Sequence, residues 1–160
     1  MRMGLLHKLI EFGVPKKDLI LIYTLFIRSI CEQSAVVWHS SLTQENRNNI
    51  ERVQKTALKI ILRNEYKTYE SALEEVNLKN LDTRRETLCL NFAKSCLKNI
   101  QTKNMFPLNP QHSCVKDRLP THAKYFHEKY QVNFANTDRL RKSPVIYMQH
   151  LLNQDHRFKE

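Results

Sequence analysis

Glycine is nearly absent from this sequence: Gly4 and Gly13 are the only two in 160 residues. A β-rich chain consumes glycine at hairpins and bulges, where positive backbone φ is needed. The scarcity therefore points to helices. It also excludes every glycine-rich phosphate loop, since neither G-x-G-x-x-G nor G-K-S/T can be assembled from these two positions. Nucleotide hydrolysis on a P-loop and dinucleotide binding on a Rossmann turn are removed together.

Hydrophobic periodicity supplies the helices. Leu5, Leu6, Leu9, Ile10 and Phe12 fall at helical spacing over residues 2–12, and Gly13 stops them. Pro15 then suits the first turn of a second helix, about 16–38, with Asp18 near its positive end. That helix is apolar on nearly every side, so it is expected to be buried at the centre of the core. Thr43 is an N-cap candidate for a third helix from Gln44 to Leu62, with Ile50, Val53, Ala57, Ile60 and Ile61 facing inward. Asn64 is expected to take the left-handed conformation after it. A short helix over 69–76 and a long one over 81–100 follow, the latter burying Leu88, Cys89, Phe92, Ala93, Cys96, Leu97 and Ile100.

After Thr102 the periodicity is lost, and Pro107, Pro110 and Pro120 interrupt a basic, histidine-bearing stretch with a short extended piece near 130–134. Ser143-Pro144 opens a final short helix carrying Val145, Ile146, Met148, Leu151 and Leu152. The expected fold is all-α, an irregular bundle of about five to six helices around the central apolar one. The expected organisation is a helical core over 1–102, a basic loop-rich segment over 103–143, a short C-terminal helix over 144–153 and a tail over 154–160.

The net charge is +10, and it is unevenly spread. Residues 1–80 hold 12 basic and 9 acidic side chains; residues 81–160 hold 14 and 7. A balance of this kind favours polyanionic partners. The N-terminus lacks the apolar core of a secretory signal. The most hydrophobic stretch, Leu19 to Ile27, is nine uncharged residues long, short of the roughly 20 that span a bilayer. Cys31, Cys89, Cys96 and Cys114 follow no disulfide spacing. An intracellular setting, cytoplasmic or nuclear, with no membrane partner is therefore expected.

Arg52, Lys55, Lys59 and Arg63 recur at intervals of three, four and four, a basic stripe opposite the apolar face of the third helix. Arg84, Asn91, Lys94 and Lys98 form a weaker polar ridge on the long helix, and Arg118, Arg139, Arg141 and Lys142 extend the basic character toward the C-terminus. Exposed charge is the usual occupant of a solvated helix face, so spacing alone establishes a surface and not a ligand. His112-x-Cys114 and His122-x4-His127 lack the paired cysteines of a structural zinc site, and no metal or other cofactor is expected. The five aspartates, at 18, 82, 117, 138 and 155, form no pair able to hold two metals. No catalytic residue is expected.

Longer blocks are more specific. They are Asp18-Leu-Ile-Leu-Ile-Tyr-Thr-Leu-Phe-Ile-Arg-Ser, Val37-Trp-His-Ser-Ser-Leu42, Ile50-Glu-Arg-Val-Gln-Lys-Thr-Ala-Leu-Lys-Ile-Ile-Leu62, Met105-Phe-Pro107 and Ser143-Pro-Val-Ile-Tyr-Met-Gln-His-Leu-Leu-Asn153. In this order they resemble the region downstream of the polymerase core in reverse transcriptases of non-LTR, jockey-like retrotransposons, over nearly the whole chain. The sequence departs from that pattern at Gln33, where the family often has an aromatic, and at Arg63-Asn64, where it often has glycine. The resemblance implies a thumb-side helical part that helps to hold template RNA or an RNA–DNA hybrid. The family's Tyr/Phe-x-Asp-Asp active site has no counterpart here, so the chain alone is expected not to be an enzyme. The resemblance also implies a polymerase palm and fingers as a protein partner. Two other readings stand beside it. One is a structural piece docking through apolar faces of the terminal helices, on a palm or on another copy; the other is an element remnant without independent activity.

Overall fold

The computed structural model describes residues 2–109 and 129–157. Among these residues the chain is helical and has no strand; an isolated antiparallel bridge joins Leu108 to Tyr130. The all-α expectation holds.

The first helix, α1 (Arg2–Glu11), ends in a double reversal centred on Gly13. Gly13 has φ +76°, its N–H donates to the Ile10 carbonyl at 3.0 Å, and Val14 N–H donates to the Leu9 carbonyl at 3.1 Å. The left-handed residue lets two orphan carbonyls be satisfied at once. Asn77 does the same after α6 (Tyr69–Glu75), with φ 52° and Leu78 N–H on the Leu73 carbonyl at 2.9 Å.

The single buried helix expected over 16–38 is corrected on two counts. It is segmented into α2 (Lys16–Ile22), a wide π-helical stretch (Tyr23–Arg28), α3 (Ser29–Glu32), a reversal at Ser34 (φ 53°), α4 (Ala35–Trp38) and a 3₁₀ turn over His39–Ser41. It is also buried on one side only. Leu19, Tyr23 and Ile27 are enclosed, whereas Leu21, Leu25, Phe26 and Ile30 are 41–59% exposed. Apolar composition favours burial but does not supply a neighbour: α1 and α5 (Gln44–Leu62) cover one flank of α2. The run Lys16–Ser41 is long and apolar enough, by length and composition, to cross a membrane, which the nine-residue count had excluded. Core helices and signal sequences meet the same criterion; here 17% of the apolar window is buried, with Leu19, Tyr23 and Ile27 packed inside the protein.

The chain divides into two compact units: residues 1–35 with 42–86, and residues 36–41 with 87–160. The boundary falls inside α7 (Leu81–Lys98), ahead of the point near Thr102 where the periodicity fades. In the first unit Leu6, Leu19, Tyr23, Ile27, Ala57 and Ile61 form one apolar cluster, and Leu58, Leu62 and Ala72 form another. In the second unit Cys89, Ala93, Cys96, Phe106, Met148, Leu151 and Leu152 pack together, with Val36 against them. Buried His39 meets Tyr147 edge-on at 5.6 Å.

Phe92 and Ile100, expected to be buried on α7, are 45% and 89% exposed. Cys89, Ala93 and Cys96, at intervals of four and three, already fill the inward face, and the helix ends at Lys98 before reaching Ile100. The C-terminal helix runs Pro144–Arg157, past the expected end at 153. Leu6 on α1 and Ile146, Met148, Leu151 and Leu152 on the C-terminal helix are buried. Much of the terminal helices' apolar surface is thus spent inside the protein, although Leu5 is 45% and Phe12 83% exposed, and a further exposed apolar face lies along α2, the π-helical stretch and α3.

Polar groups organise both units. In the first, fully buried Gln54 accepts from the Tyr23 hydroxyl at 2.7 Å and donates to the Tyr69 hydroxyl at 2.9 Å and the Lys79 carbonyl at 3.0 Å. The Tyr69 hydroxyl donates to Glu51. Both Glu51 carboxylate oxygens lie 3.1 Å from Leu81 N–H, the first residue of α7. A carboxylate there meets the positive end of the helix dipole. Asp82 takes Arg47 at 2.9 Å and buried Arg85 at 3.2 Å.

In the second unit the amide of Asn153 accepts from Tyr130 N–H and donates to its carbonyl, both at 2.9 Å. Gln149 accepts from Asn133 N–H at 3.0 Å and donates to the Met105 carbonyl at 2.8 Å. Two side chains on the C-terminal helix thus hold the extended backbone that a sheet partner would otherwise hold.

Replacing one member of such a network leaves buried donors or acceptors unpaired, at about 1–3 kcal/mol for each group. Gln54→Leu is expected to lower unfolding free energy by about 2–4 kcal/mol, read from urea denaturation followed by circular dichroism. Burial pushes the Tyr23 and Tyr69 phenols above their ordinary range, and the Glu51 carboxylate adds to the rise at Tyr69. The folded chain then keeps phenolic protons that the unfolded chain releases above about pH 10. Stability should be unaffected by these groups at neutral pH and should fall as pH rises past about 10. Denaturant midpoints from pH 8 upward test this, and Tyr23→Phe should flatten the decline.

Candidate nucleic-acid interface

Helix α5 carries the strongest basic feature, and its sequence explains why the feature faces outward. Thr43, extended at ψ 159°, accepts from Asn46 N–H at 3.2 Å and starts the helix as expected. From there Gln54, Ala57, Leu58 and Ile61 recur at intervals of three, one and three, and all are buried. That fixes the rotation of the helix about its axis. Arg52, Lys55 and Lys59 occupy the opposite side and are exposed, as is Arg63 in the turn that follows.

Arg63, and not Asn64, carries the left-handed φ at the end of α5, at φ 48° and ψ −115°. Leu62 is buried and Tyr66 packs on the same cluster, so the chain must reverse between them, and the reversal falls on Arg63. Asn64 lies within a 3₁₀ turn, Arg63–Glu65. The Arg63 conformation is one that glycine adopts without cost and other residues adopt at about 1–3 kcal/mol.

Two tyrosines underlie the ridge. The Lys55 ammonium lies 4.9 Å from the centroid of the Tyr69 ring, and that of Lys59 lies 5.5 Å from the Tyr66 ring. Glu65, two residues after Arg63 in the same turn, is engaged with Glu75 by Lys16. This exposed cluster holds the Lys16 ammonium above its ordinary range through Glu65 first and Glu75 second, and the Glu65 carboxyl below its own through Lys16.

The other candidates behave differently. Arg84 binds Glu32 and belongs to the first unit, whereas Lys94 binds Asp155 at 2.8 Å and belongs to the second. The ridge expected on α7 is therefore half spent on ion pairs, with Asn91 and Lys98 left exposed. Arg139, Arg141 and Lys142 are exposed on and just after a short turn of helix, Asp138–Arg141, capped by Thr137. Arg141 stands 3.5 Å from Asp138, a solvated pair of little weight. Arg118 and the histidine–cysteine spacings at 112–114 and 122–127 lie outside the described residues. Among the described residues Cys31, Cys89 and Cys96 stand outside any disulfide, burial raises the pKa of Cys31, and no group of three His, Cys, Asp or Glu side chains converges as metal ligands would.

Glu51 and Gln54 had no role assigned from the sequence. Their signal was present: Gln54 is the polar residue on the apolar i, i+3, i+4, i+7 face of α5. A polar side chain on a buried face must find partners.

An all-helical protein with a continuous, solvent-facing cationic ridge is what fold and site define together. No protein-family model matches the chain, and neither does any curated protein or solved structure.

Arg63→Gly separates the two properties of that position. It should raise unfolding free energy by about 1 kcal/mol as the backbone relaxes, measured by urea denaturation, while weakening binding of any polyanion to the ridge.

Proposed function

We propose that this chain is a non-catalytic, nucleic-acid-binding part of a non-LTR retrotransposon reverse transcriptase, holding template RNA or an RNA–DNA hybrid beside the polymerase core. One observation carries the reading: the block Glu51-Arg-Val-Gln-Lys55 that resembles the family divides cleanly by direction. Glu51 and Gln54 build the interior, while Arg52 and Lys55 stand in solvent with Lys59 and Arg63 in line. An exposed cationic line with its counter-charges engaged elsewhere suits phosphates, whose neutralisation releases condensed counterions. Polymerisation itself would belong to an Asp-Asp palm that this sequence does not contain.

The test is a titration of labelled structured RNA and of an RNA–DNA hybrid at several salt concentrations, with wild type and with Arg52, Lys55, Lys59 and Arg63 all changed to glutamine. The substitutions should lower affinity at least tenfold at low salt and flatten its salt dependence; equal affinities and equal slopes would sink the proposal.

A second reading rests on a separate observation, the exposed apolar side chains of Leu21, Leu25, Phe26 and Ile30 along α2, the π-helical stretch and α3. An apolar face of this kind suits a protein partner, the palm of a parent enzyme or another copy of the chain. A monomer in light scattering that also binds no apolar dye would exclude it.

A further inference from the structure

Resting on the nucleic-acid reading of the α5 ridge, we propose that this surface grips the sugar–phosphate backbone of one strand over about four phosphates and leaves the bases unread. Proteins that hold single strands commonly present open aromatic faces on which bases stack. Tyr66 and Tyr69 are the aromatics nearest the ridge, and neither ring is open. Each packs against the Leu58–Leu62–Ala72 cluster, and each lies beneath a lysine ammonium, Tyr66 under Lys59 and Tyr69 under Lys55. The Tyr69 hydroxyl is turned into the interior, where it donates to Glu51 and accepts from Gln54. That ring cannot swing out without breaking the buried network.

The tyrosines instead hold the lysines. A cation seated over a ring has fewer rotamers to lose when a phosphate arrives, so the ridge is partly ordered before binding. Eleven residues separate Arg52 from Arg63, and at about 1.5 Å per residue the cations run for roughly 16 Å. A strand rises about 3.4 Å per nucleotide in a duplex, so this length matches about five nucleotides. In an A-form duplex or hybrid the major groove is too deep and narrow for side chains to read, and recognition falls mostly on the backbone, its phosphates and 2′-hydroxyls. The cations are left to meet phosphates.

The experiment uses the full chain and fluorescence anisotropy with labelled 12-nucleotide oligo-U, oligo-A, an abasic strand of equal length and an RNA–DNA hybrid. Affinities for the three single strands should agree within about threefold. Four phosphates correspond to a salt slope near −2.8 on single strands and up to about −3.6 on a duplex. Each single change to glutamine among Arg52, Lys55, Lys59 and Arg63 should reduce the single-strand slope by about 0.7. Tyr66→Leu, checked for folding by circular dichroism, should bind oligo-A within about threefold of wild type, whereas loss of a stacking platform costs about 5- to 150-fold per base. Oligo-A bound more than tenfold tighter than the abasic strand would overturn the inference and leave nucleic-acid binding standing. The comparison among strands uses wild type alone, so it decides the matter even if Tyr66→Leu unfolds. No binding to any of the four probes would overturn both.

Discussion

The first unit depends on a single polar constraint: Gln54 and Glu51 sit one helical turn apart on the inward edge of α5 and must be satisfied there. Satisfying them draws in Tyr23 from the π-helical stretch, Tyr69 from α6, the Lys79 carbonyl and the first N–H of α7. Apolar contact alone tolerates sliding and rotation of a helix, because one methyl group replaces another at little cost. Hydrogen bonds with fixed geometry do not, and a half-made network is worse than none. The cationic ridge is the other side of the same arrangement. Once Gln54 points inward, Arg52, Lys55 and Lys59 fall on the outward side of the helix, the two lysines over tyrosine rings at its edge.

Much of this was legible in the sequence. The helix from Gln44 to Leu62 and its Thr43 cap follow from periodicity and capping chemistry, and the stop at Gly13 follows from the scarcity of residues able to take positive φ. The 16–38 helix shows where such reasoning ends. Its composition says that every side is apolar, but only packing decides which sides gain a neighbour. Phe92 and Ile100 repeat the point on α7, where the smaller Cys89, Ala93 and Cys96 hold the inward face. Pairwise partners were also beyond a linear reading. Nothing in the spacing of Arg84 or Lys94 announces Glu32 or Asp155, which lie far away along the chain.

The resemblance acquires a physical meaning from these contacts. Several of the residues that carry it hold the fold together. Gln149 of the Ser143–Asn153 block donates to the carbonyl of Met105, the first residue of another block, and Phe106 beside it is buried. Asn153 pins Tyr130. The exposed cations, which scaffolding does not explain, carry the functional argument.

The second unit is assembled from distant parts of the chain, and this bears on how it can form. Val36 and His39 pack on a cluster whose Tyr147, Met148 and Leu152 lie far later in the chain, and the Ser40 hydroxyl donates to the carbonyl of Lys142, 102 positions away. Contacts of such separation close loops that cost entropy before they return any stability. The first unit can condense while the ribosome is still extending the chain, but the stretch from Val36 to Ser41 stays uncommitted until the helix Pro144–Arg157 is available. A chain cut short near residue 140 would leave Val36 and His39 without the cluster they pack on, a segment ready for a chaperone or for aggregation.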